Sequence, residues 1–158
     1  MIAKGILVLA CLLPLSVSAN ESQWRDYDHL YLQGGTYAHF TQDDDHDGPN
    51  IFVSLEAVRS DNWLAGLGLF DNSFGEFSQY LYVGKNWHFK DKLDGFHAKL
   101  TVGIIHGYEG DYKDKIPFNK LGIAPGVIPG IGYKKNKLGF DMILLGNSAM
   151  LFTVGYEI

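Results

Sequence analysis

Apolar and polar residues alternate along most of this chain. A period of two is the mark of strands, whose successive side chains point to opposite faces. Eight segments of roughly ten residues carry it. The first, 30–40, sets Leu30, Leu32, Thr36, Ala38 and Phe40 against Tyr31, Gln33, Tyr37 and His39. In the second, 50–59, Ile51, Val53, Leu55 and Ala57 oppose Phe52, Ser54 and Glu56. The third, 62–70, has a greasy face of Trp63, Ala65, Leu67 and Leu69. The fourth, 78–89, puts Gln79, Leu81, Val83, Trp87 and Phe89 on one face, interrupted by Lys85, with Ser78, Tyr80, Tyr82, Gly84 and Asn86 opposite. The fifth, 95–106, sets Phe96, Ala98, Leu100, Val102 and Ile104 against Lys99, Thr101 and Gly103. The sixth, 121–133, is expected to be irregular because Pro125 and Pro129 interrupt it. The seventh, 137–145, and the eighth, 149–158, alternate again.

One face is apolar in most segments, and the other mixes Gln, Ser, Glu, Lys, Thr, Asp, Gly and Tyr. Period alone does not say which face is inside, so a secreted soluble barrel is the competing arrangement. Segment length and connection length decide the expectation. The segments match the 9–11 residues of a tilted strand crossing a bilayer. Connections at one end are long (41–49, 71–77, 107–120), apart from 146–148, and those at the other end are short (60–61, 90–94, 134–136). Long loops on one side and short turns on the other mark an outer-membrane barrel, which satisfies every backbone group by closing on itself. The expected fold is all-β: an eight-stranded antiparallel transmembrane β-barrel, monomeric, in the outer membrane of a Gram-negative bacterium.

The N-terminus agrees with export. Lys4, the apolar run 5–15 and the small residues Val17-Ser18-Ala19 make a signal peptide with cleavage after Ala19. The domains are then 1–19, the signal peptide, and 20–158, the barrel. Cys11, the only cysteine, would leave with the signal, so neither a disulfide nor a thiolate is expected in the mature chain. A formal net charge of −5 argues against nucleic acid as a partner.

Topology places the candidate chemistry. His39 ends the first strand and Asp71-Asn72-Ser73 follows the third. Both strands rise toward the same end, so a base, a hydroxyl and polar orienters share one rim, a set suited to acyl transfer. The same Asp-Asn-Ser-Phe-Gly run is also ordinary turn composition. The acidic loop Asp43-Asp44-Asp45-His46-Asp47 lacks the terminal Glu of an EF-hand and reads as a solvated loop. No metal and no cofactor are expected. Glu56, Lys99 and Asp141, on lumen faces, read as an interior ion-pair network.

Beside this reading stands a resemblance. The chain resembles the lipid A palmitoyltransferase family (PagP) in Leu30-Tyr31 leading to Thr36-Tyr37-Ala38-His39-Phe40, in Phe70-Asp71-Asn72-Ser73-Phe74 with Tyr82-Val83-Gly84 and Trp87, and in Ile123-Ala124-Pro125-Gly126-Val127-Ile128-Pro129. The resemblance implies an outer-membrane enzyme that moves a palmitoyl-like chain from a phospholipid donor to lipid A of lipopolysaccharide. It implies catalytic roles for His39 and Ser73; the family's Asp falls on Asn72, with Asp71 one residue earlier. It implies an acyl-length floor at Gly84 in a lumen lined by Tyr80 and Tyr82, and a lateral lipid gate at Pro125 and Pro129. The family's N-terminal helix would fall near 20–28, a segment too short here for a full one. The alternative is a non-catalytic barrel that binds lipid or lipopolysaccharide, or is structural.

Overall fold

The computed structural model describes residues 27–40, 50–71, 77–107 and 123–158. Within them the alternating segments form eight strands: β1 (Tyr27–His39), β2 (Ile51–Arg59), β3 (Trp63–Asp71), β4 (Phe77–His88), β5 (Phe96–His106), β6 (Ile123–Lys135), β7 (Leu138–Leu145) and β8 (Ala149–Glu157). Each pairs antiparallel with its sequence neighbours, and β8 returns to β1 from Tyr31↔Glu157 to His39↔Ala149, closing the barrel. Closure leaves no sheet edge along most of the wall. At the short-turn end, Asn62 and Asn136 take left-handed conformations, which Asn tolerates better than most residues. A single 3-10 turn, Asp91–Leu93, joins β4 to β5.

The apolar phase faces outward. Leu81 on β4 is 57% exposed and Val127 on β6 is 64% exposed, whereas Gln33, Glu56, Asp141 and Thr153 are almost wholly buried. Polar groups inside and a continuous apolar wall outside invert the soluble pattern and fit a lipid solvent. Tyr27, Trp63, Trp87, Phe96, Tyr133 and Tyr156 are exposed on the outer wall near the short-turn ends of their strands. Such an aromatic belt lies at a bilayer interface.

The lumen is filled by side chains, as expected for a barrel of this strand number. Toward the loop end, Tyr37, Phe52, Ile143, Ala149 and Leu151 pack together, with Phe70, Ile128 and Leu145 against them. A second cluster joins Tyr31, Val58, Leu64, Tyr80 and Tyr82.

One expectation needs correction. Pro125 and Pro129 do not interrupt β6: its ladder with β5 is continuous from Ile123↔His106 to Tyr133↔Phe96. Their effect falls on the other side, described below. Tyr27 and Asp28 already belong to β1, so the part of 20–28 that is described is strand and not helix. The signal-peptide region and the acidic loop 43–47 lie outside the described residues.

Candidate functional site

The ladder between β6 and β7 covers only half of β6. It runs from Lys135↔Leu138 to Gly130↔Ile143 and stops. Residues 123–129 keep their β5 partners and have no β7 partner. The phase of the backbone explains where the prolines sit. The Lys134 amide donates to the Gly95 carbonyl, on the β5 side, at 2.8 Å. Alternation then turns odd-numbered residues of β6 toward β7. Pro125 and Pro129 therefore occupy two of the four positions, 123, 125, 127 and 129, whose N–H would face the unpaired edge. Proline has no N–H, so two donors that lipid could not satisfy are removed. Ile128, Ile143 and Leu145 line the lumen beside this seam, within the apolar cluster of the loop-end half.

Above the cluster lies the rim. His39 is on the inward phase of β1, half-buried, with its ring edge-on to Tyr37 at 5.3 Å between centroids. The Tyr37 hydroxyl donates to the backbone carbonyl of Asp71. The structure thus brings the end of β1 against the end of β3, as the topology requires. The Asp71 side chain is in the outward phase of its strand, so what meets Tyr37 is its main chain. Asn72 and Ser73 lie outside the described residues.

Deeper in the lumen Tyr80 and Tyr82 stack at 4.6 Å. Tyr80 shares a hydrogen bond with Thr101, Oη to Oγ1, at 3.1 Å, and Tyr82 donates to Glu56 Oε1 at 2.9 Å. Gly84 faces inward, but the space there is occupied. A Cβ on Gly84 would collide with the Leu100 carbonyl and press on the Thr101 methyl. Glycine is therefore needed there for close approach of β4 and β5.

Below this lies a buried polar network. Lys99 Nζ donates to both Glu56 oxygens, at 2.8 and 2.9 Å. Ser54 Oγ donates to Gln33 Oε1 at 3.1 Å, and Gln33 Nε2 donates to Asp141 Oδ2 at 2.8 Å. Asp141 Oδ1 accepts from His97 Nε2 at 2.7 Å. The Glu56–Lys99 pair matches the expected interior ion pair, and Asp141 instead pairs with His97. His97 went unread in the sequence, although its phase is that of Lys99 and Thr101. With Tyr82, which bonds Glu56, these groups tie β1, β2, β4, β5 and β7 across the lumen. The buried Glu56 and Lys99 have opposite charges and hydrogen bonds to each other, the condition under which burial is tolerated. Among the described residues, no group of three or more His, Cys, Asp or Glu is arranged to hold a metal.

At the short-turn mouth, His29, Tyr31, Val58, Asn62, Asn86, His88, His97, Lys99 and Lys134 line a small cleft. Lys134 Nζ pairs there with Glu157 at 2.6 Å.

No family model matches the chain, and no curated protein does. Solved structures do match. A chain from the de novo design of transmembrane β-barrels superposes with a TM-score of 0.57 at 13% identity, covering 82% of this chain and 95% of the designed one. The N-terminal β-barrel domain of Pseudomonas aeruginosa OprF gives a TM-score of 0.48 at 11% identity, covering 82% and 97%. At 13% identity the likeness to the designed barrel is one of fold: a closed, eight-stranded antiparallel barrel of the transmembrane kind.

Proposed function

We propose that this protein is an outer-membrane barrel that takes a lipid acyl chain into the loop-end half of its wall through the gap between β6 and β7. The observation that carries this is the early end of the β6–β7 ladder, beside the lumen-facing Ile128, Ile143 and Leu145. A membrane barrel normally pairs every strand edge, because lipid offers no hydrogen bonds. An edge left open and relieved of two donors by Pro125 and Pro129 suits the lateral passage of an apolar chain. The short-turn end faces the periplasm and the loop end faces outward, toward lipopolysaccharide. The network beneath the apolar cluster blocks the lumen, so the protein acts as a lipid-handling barrel and not as an open pore.

A direct test locks the seam. Pro129 and Leu144 are the next facing pair in the register that ends at Gly130↔Ile143. A Pro129→Cys, Leu144→Cys disulfide would close that gap. Native mass spectrometry of detergent-extracted protein is expected to show a retained acyl lipid in the reduced form and much less in the oxidised form. Equal retention in both forms, or none in either, defeats the reading.

A second reading is acyl transfer, and the approach of the His39 end of β1 to Asp71 favours it. An acyl group would leave a phospholipid ester for a lipid A hydroxyl. His39 would take the hydroxyl proton and return it to the departing glycerol oxygen, producing a lysophospholipid. Ser73 and Asn72 would orient the reacting groups or stabilise the oxyanion, Asp71 contributing through its main chain at the rim and not through its outward-phase carboxylate. Lipid A from cells carrying the protein should then gain one C16 acyl mass, and the gain should vanish with His39→Ala and with Ser73→Ala. No gain, with the barrel folded in the outer membrane, leaves lipid binding without chemistry.

A further inference from the structure

Lys85 is the one charged residue on the outward, largely apolar face of β4, and nothing in the lipid-binding reading uses it. It sits between Val83 and Trp87 on the outer wall, paired across the sheet with Trp63 on one side and Leu100 on the other. Trp63 is 45% exposed and Trp87 is 46% exposed, so both belong to the aromatic belt. The Lys85 ammonium lies over the Trp63 ring, 5.2 Å from its centroid. Among the described residues no carboxylate pairs with it, whereas the nearby Arg59 is held by Asp61 at 2.9 Å.

A charged side chain on the lipid side of a membrane barrel is costly unless it reaches polar surroundings. Depth makes that possible here. Lys85 is three residues from the end of β4 at His88, about 10 Å along the strand. With a strand tilt of about 45°, its Cα lies about 7 Å above the strand end. A lysine stem spans much of that distance and brings its ammonium to headgroup level.

We infer that Lys85 and Trp63 form a binding site for the headgroup of a net-anionic phospholipid in the periplasmic leaflet. The ammonium supplies a point charge for the phosphate. The indole face holds the ammonium in place by cation–π attraction, and its edge packs on the first acyl carbons. Charge complementarity selects the occupant. The periplasmic leaflet is built of phospholipids, and the β6–β7 turn on this side adds Lys135 and Lys137, both exposed, while Lys90 and Lys92 in the β4–β5 turn are balanced by Asp91 and Asp94. The inference rests on the membrane orientation proposed above.

Trp63 is its own reporter. A Trp24→Phe, Trp87→Phe background leaves it as the sole tryptophan. The protein is reconstituted in vesicles mixing a brominated lipid with a plain one, the bromines being carried by either phosphatidylglycerol or phosphatidylcholine. Quenching of Trp63 is expected to show about a fivefold preference for phosphatidylglycerol, the scale of one lysine at an anionic surface. Lys85→Gln should abolish the preference and Lys85→Arg should keep it. Equal quenching by the two lipids in the parent, or a preference that survives Lys85→Gln, overturns the inference. Loss of the preference when tens of millimolar inorganic phosphate is added would also overturn it, because the site would then take free phosphate. Absence of quenching by either lipid defeats the membrane reading itself, so the two failures are distinguishable.

Discussion

At the scale of single residues, the lumen sets the strictest demands. Glu56 and Lys99 are 2% and 5% exposed and neutralise one another. Lys99→Met strands the Glu56 carboxylate among apolar and hydroxyl groups and should cost about 3–5 kcal/mol. The double variant Glu56→Gln, Lys99→Met removes the stranded Glu56 carboxylate as well and should cost clearly less. Urea titration of the barrel folded in phosphocholine vesicles measures both. Gly132 makes a second demand: a Cβ there would run into Asp141 Oδ1 and the His97 ring. Gly132→Ala should destabilise by about 1–3 kcal/mol, the usual cost of overpacking. The alternation shows Glu56, Lys99 and Asp141 to be inward-facing, because phase is local. It does not reveal that Asp141 bonds His97 and Gln33, which lie 44 and 108 residues away.

At the scale of elements, every strand is visible in the alternation, and most boundaries move by one to three residues. β6 is the element whose character changes. A proline inside a strand suggests broken pairing, but a strand has two neighbours, and the sequence does not say which one loses its bonds. The continuous ladder to β5 fixes the phase, and the phase turns both prolines toward β7. Hydrogen exchange provides a test. Val127 and Ile131 share that phase, but only Ile131 has a β7 partner, Met142. The Val127 amide should exchange at least tenfold faster than that of Ile131 in the detergent-solubilised protein. Similar protection of the two would mean that the seam is zipped in solution. Of the rim, the sequence places His39 and the segment after β3 at one end. It does not show that Tyr37 links them, since that contact depends on closure.

At the scale of the whole molecule, the apolar outer wall gives a prediction that separates the two kinds of barrel. Leu81 lies near the middle of β4 on the outer face. In a soluble barrel, Leu81→Arg would be close to neutral. In a bilayer it should destabilise by about 2–4 kcal/mol. Folding equilibria into vesicles, compared with a substitution at the belt such as Phe96→Arg, give the depth dependence. A cost equal at both depths, or no cost at either, would remove the membrane reading.

What this sequence settles by itself is what a local pattern encodes. Side chains in a strand alternate whatever the partner strand, so strand count, the apolar and polar faces and the asymmetry of the connections are all present in the one-dimensional pattern. Closure, register and occupancy belong to the tertiary structure. The return of β8 to β1 decides that polar residues are enclosed. The register of β5 on β6 decides which edge the prolines open. The packing of β4 on β5 decides that Gly84 has no room for a Cβ. These features join residues far apart in the chain, and alternation carries no information about distant partners.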